Sequence, residues 1–158
     1  MAAGRSIRCY HVAFMPFQWL QMRITEEKDR RAREKRILDR LPDALVELYD
    51  SLRSCLETYN KAFGPQASEA ELLSGKVRVV AREEREGKWQ QYGKVEVSAL
   101  PSIPGFQIDQ GGEPLLIEIG ILPGNKLSYR DRAADQYLGL EDLSRRILDR
   151  VLFPKLKE

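Results

Sequence analysis

Apolar side chains at alternating spacings of four and three run from Leu41 through Leu45, Leu48, Leu52 and Cys55 to Tyr59. A second such row passes through Leu45, Tyr49, Leu52, Leu56, Tyr59 and Phe63. Two adjoining rows make a wide apolar stripe, which asks for two neighbours; a coiled-coil seam is narrower. Upstream the character changes. From Glu26 to Arg36 nearly every residue is charged, and apolar residues return only at Ile37, Leu38 and Leu41. Thr25 suits an N-cap, with Glu26 and Glu27 in the first turn where the helix dipole favours acids. Pro42 divides the segment and Gly64-Pro65 stops it. The expectation is a kinked N-terminal helix pair, one helix over residues 25–40 and a second over 43–63.

Beyond a small polar stretch the period falls to two. Val77, Val79 and Ala81 alternate with Arg78, Val80 and Arg82; Val95, Val97 and Ala99 alternate with Lys94, Glu96 and Ser98. Phe106 and Ile108 follow, then Leu115, Ile117, Ile119 and Ile121, with turn residues between the runs and a weak fifth strand at 126–130. Short connections predict an antiparallel four- or five-stranded meander with one apolar face. A last helical stripe joins Leu143, Ile147, Leu148, Val151 and Leu152 before Pro154. A sheet with one apolar face must bury it, and two of the helices carry matching stripes. The predicted fold is therefore an α+β two-layer sandwich in the order α-α-β-β-β-β-(β)-α. Residues 22–158 read as a single domain, with 22–41 as a charged helical arm, 43–64 as the core helix, 76–130 as the sheet and 141–153 as the C-terminal helix. Residues 1–21 read as a poorly ordered extension. Its alternative use is a peripheral membrane anchor carried by Phe14, Phe17 and Trp19.

Composition narrows the functional classes. The 158 residues are 32% charged but carry a net charge of only +2, so an anionic partner needs a local patch. Cys9 and Cys55 are far apart and form no CxxC, which fits a reducing, cytoplasmic setting. His11 is the single histidine, so every Ser/His or Cys/His scheme would have to use it. No GxSxG, Walker-type or GxGxxG motif occurs. Neither a cofactor nor a metal is expected, no stretch is long enough to span a bilayer, and the chain reads as a non-enzyme.

Two patterns still carry chemistry. The strand ending in Asp109, followed by one holding Glu118, resembles the core of the PD-(D/E)xK nucleases. That resemblance covers about sixteen residues and implies Asp109 and Glu118 as acids holding a divalent ion. Gly120 stands where the family has its lysine. The second pattern is the basic helix 28–40, with seven bases against three acids, able to track a phosphate backbone. Its acids stand at i,i+4 to several bases, the habit of a solvated helix. The favoured reading is a non-catalytic protein–protein interaction or regulatory module, binding an unidentified protein or its own copy. Arg30, Arg31 and Arg33 would supply the charged contact, and Ile37, Leu38 and Leu41 an apolar anchor.

Overall fold

A computed structural model describes residues 16–156. Element order is α1 (Gln18–Phe63), β1 (Ser68–Leu73), β2 (Lys76–Arg85), β3 (Lys88–Leu100), β4 (Gly105–Asp109), β5 (Leu115–Leu122), β6 (Lys126–Asp131), β7 (Gln136–Leu138) and α2 (Leu140–Leu152). The class is α+β: a long N-terminal helix, a seven-stranded antiparallel meander and a C-terminal helix packed on the sheet. The described residues divide into two compact units, with the division between Arg36 and Ile37.

The kinked pair is instead one helix. It begins at Gln18, and Pro42 lies inside it. Thr25 does not cap; its hydroxyl donates to the Gln21 carbonyl, 3.1 Å away and one turn back. An interior proline costs about 3 kcal/mol through its missing N–H and the clash with the carbonyl four residues earlier. Leu41, Ala44, Leu45 and Leu48, on either side of it, are all buried. Burial of one leucine is worth roughly 1.5–3 kcal/mol, so packing on this face outweighs the local penalty. The C-terminus ends as the sequence implies, with Gly64 at φ 122° and its N–H on the Asn60 carbonyl at 2.8 Å. Asn60 then ties helix to sheet: its Nδ2 donates to the Ser68 carbonyl (3.1 Å), and the Ser68 hydroxyl donates to its Oδ1 (2.7 Å).

The sheet exceeds the expected four or five strands because both edges were unreadable. β1 pairs with β2 from Ser68↔Ala81 to Leu73↔Lys76, and β7 adds three residues beside β6. Between the edges the alternation is as expected. Val77, Val79, Val95, Val97, Phe106, Ile108 and Ile117 are buried in the same core as Leu45, Leu48 and Leu52 of α1 and Leu143, Ile147 and Leu148 of α2. One phase slips. The β2–β3 register passes from Ala81↔Gly93 to Arg82↔Gln91, leaving Tyr92 as the extra residue of a bulge. Simple alternation would put Tyr92 among the outward residues. Instead its hydroxyl donates to the Leu152 carbonyl (2.7 Å) and receives that of Tyr59 (2.9 Å). Burial, then the Tyr59 hydrogen bond, raises its pKa.

Helix α2 closes tightly on β3. A Cβ on Gly93 would stand 2.7 Å from the Val151 carbonyl oxygen. Gly93→Ala must therefore push the helix off the strand. The expected loss is about 1–3 kcal/mol, read as a lower midpoint in urea with an unchanged slope.

Candidate functional site

Two surfaces hold the residues singled out from sequence. The first is helical segment 18–36, within the first unit. None of its residues is buried. Trp19 and Met22 are 66% and 59% exposed, and Leu20 and Ile24 beside them are also exposed. Four large apolar side chains therefore share two turns of helix. About half of the charges from Glu26 to Arg36 are paired along the helix. Arg30 donates to both oxygens of Glu27 and to Glu34, and Arg31 reaches Glu27 at 3.2 Å. The Arg30 and Arg31 hydrogen bonds hold the Glu27 carboxyl down at about 2, and the same contacts raise Arg30. These are exposed pairs, screened by water and salt, and they add little to stability. Two of the three expected contact arginines are thus partly neutralised, while Arg33 forms no ion pair among the described residues.

Ile37, Leu38 and Leu41 belong to the second unit and do not offer a free anchor. Leu41 is buried, and Ile37 and Leu38 pack against the core. Their apolar surface is taken up by the chain's own fold. The side chains that remain open, Leu20, Met22 and Ile24, carry no motif. Sequence reasoning passed over them because the helix was read as starting at Thr25. Phe14, Cys9 and His11 lie outside the described residues.

The second surface is the open face of the sheet. Glu96 accepts from Lys94 (3.0 Å), Lys76 (3.3 Å) and Arg78 (3.3 Å), and the first two hold its carboxyl at about 2. Arg82 reaches Glu69 at 2.9 Å and Arg78 reaches Glu71 at 3.7 Å, around a depression of about 260 Å³. Each arginine here already has a carboxylate, so the face is a balanced ion lattice rather than an anion site.

The nuclease-like acids occupy this face without meeting. Glu118 stands opposite Gly105 in the β4–β5 register, and Asp109 lies four residues further along β4. At about 3.3 Å per residue that is roughly 13 Å, too far for one ion. Asp109 accepts the Gly111 N–H at 3.0 Å, shaping the turn, and Glu118 is bound by Arg130 (3.0 Å) and Arg132 (3.4 Å). Among the described residues no three His, Cys, Asp or Glu side chains gather as a metal site, and no helix is long and apolar enough to cross a membrane. Compared with protein-family models, curated proteins and solved structures, the chain shows no significant match.

Proposed function

We propose that this chain is a non-catalytic protein–protein interaction module, working through helical segment 18–36 and binding first a second copy of itself. The observation that carries the reading is the exposure of Trp19, Leu20, Met22 and Ile24 on a segment with no buried residue. A helix of about this length is marginal in water when packing does not support it, and its exposed ion pairs add little. Contact with a partner would supply the missing burial. A second copy suits the chemistry because an isologous interface sets an apolar turn against its own equivalent. The low net charge of +2 also sets little long-range repulsion between copies. In the accompanying two-layer reading, both helices cover one face of the sheet from Ile37 onward. The other face, with its balanced ion pairs, is then plain solvated surface.

Light scattering of the full chain over rising concentration tests the proposal. A dimer is expected, reverting to monomer when Trp19, Leu20, Met22 and Ile24 are all replaced by serine, with the melting temperature of the remaining fold unchanged. A monomer at every concentration, with unprotected amides through 18–36, would sink the reading. Tight, steeply salt-dependent binding of duplex oligonucleotides, lost in Arg30/Arg31/Arg33→Ala, would put a phosphate-tracking helix in its place.

A further inference from the structure

Within the second unit, α1, β6 and the start of α2 surround a cleft of about 400 Å³ lined by Arg40, Glu47, Lys126, Leu127, Tyr129 and Leu140, among others. Tyr129 is 3% exposed, and its hydroxyl has no hydrogen-bond partner. It is the one buried side-chain polar atom among the described residues left so. The ring is fixed by stacking on Phe106, with centroids 6.3 Å apart. Burial pushes the phenol up to about 12; Glu47 pushes the same way and Arg40 opposes. Tyr129 itself lines the cleft, beside Arg40 and Glu47. Arg40 spends one N–H on the Asn125 carbonyl at 2.9 Å, and a guanidinium has five.

An unpartnered buried hydroxyl is a standing cost to the fold, and folds tolerate such costs at binding sites. We propose that this cleft binds a small zwitterion of the amino-acid class. Its carboxylate lies toward Arg40, Lys126 and the Tyr129 hydroxyl. Its ammonium faces Glu47, and its side chain lies on Leu127 and Leu140. A simple anion would meet Glu47 with the wrong sign, and a simple cation would meet two bases. Only a ligand carrying both charges satisfies all three. This site is independent of segment 18–36.

Calorimetric titration of the full chain with L-leucine tests the assignment, with acetate and n-butylammonium as single-charge controls. Saturable binding of L-leucine is expected, at least about tenfold tighter than either control. Tyr129→Phe and the exposed Glu47→Gln should each weaken it by about tenfold or more. Without ligand, Tyr129→Phe should melt at or above the wild-type temperature, because it deletes a polar atom that nothing satisfies. The proposal is overturned if L-leucine fails to bind up to about 10 mM or if acetate binds equally well. A lower melting temperature for Tyr129→Phe would also overturn it, by showing that water alone satisfies the hydroxyl.

Discussion

Ile147→Asp should abolish the cooperative thermal transition. Ile147 is fully buried on α2, in the cluster that joins this helix to the sheet and to α1. An aspartate there must either bury a charge without a partner or take up a proton, and it also forfeits the isoleucine's apolar area. The two losses together come to several kcal/mol. A domain of this size has only about 5–15 kcal/mol in hand, and α2 holds more than its own residues. Gln110 Nε2 donates to the Ile147 carbonyl at 2.9 Å, and the Ser144 hydroxyl meets that of Ser51 across the two helices at 2.7 Å. Displacing α2 leaves those groups without partners and takes from the Tyr92 hydroxyl its Leu152 acceptor. Loss of the near-ultraviolet dichroism and of a sigmoidal melt is the expected reading. Leu156→Asp, at an exposed position beyond the helix, should melt like wild type. If Ile147→Asp did the same, α2 would not be docked on the sheet in solution.

The apolar stripe of that helix was readable in advance, with its bounds one residue late at 141–153 against Leu140–Leu152, and the reason is physical. Leu143, Ile147, Leu148, Val151 and Leu152 are all buried because one side of a helix repeats every 3.6 residues. The same logic recovered the leucines of α1 and the inward residues of β2 to β5. It failed where tertiary structure overrode local punctuation. Pro42 reads as a break, yet the buried leucines around it hold the helix through. Thr25 reads as a start, yet its hydroxyl turns back to Gln21 within a helix already under way. β1 and β7 were missed because edge strands need no alternation: Leu72 and Tyr137 are exposed. Alternation alone misplaces Tyr92, because a bulge shifts phase without leaving a mark in the sequence. The candidate sites followed the same division. Charge density on 28–40 and its i,i+4 pairing were visible, but the packing of Ile37, Leu38 and Leu41 into the chain's own core was not. The register separating Asp109 from Glu118, and the meeting of Arg40, Glu47 and Tyr129, depend on chain paths that residue spacing does not encode.

The second large effect is expected at Asp131, where one buried carboxylate ties together three pieces of the second unit. Asp131 ends β6 and is 3% exposed. Its Oδ1 accepts the N–H groups of Ala133 (3.1 Å) and Ala134 (3.2 Å), forming the turn into β7. Its Oδ2 accepts from Arg146 Nη1 of α2. Arg146 Nη2 donates in turn to Gln136 Oε1 of β7, at 3.2 Å. Asp131→Ala therefore strips two backbone donors of their acceptor and removes the carboxylate from an arginine docked between helix and sheet. Removing one partner of a buried pair typically costs about 3–5 kcal/mol. The arginine side chain is 35% exposed and can turn toward water, which places the expected loss near about 3 kcal/mol. Asp131→Asn keeps an oxygen for the two turn N–H groups but sets an NH2 donor where Arg146 needs an acceptor, so it loses the ion pair while keeping the turn and should fall about midway. Arg146→Ala leaves the carboxylate buried with the turn donors alone. The double variant Asp131→Ala/Arg146→Ala should then lose at least about 1 kcal/mol less than the two single losses combined, because the second removal finds no buried charge to orphan. Urea midpoints of the four chains measure that coupling. Hydrogen exchange should show β7 opening first in Asp131→Ala, ahead of β2 and β3. Single losses that simply add in the double variant would mean that Arg146 and Asp131 do not hold each other, leaving the carboxylate to the turn alone.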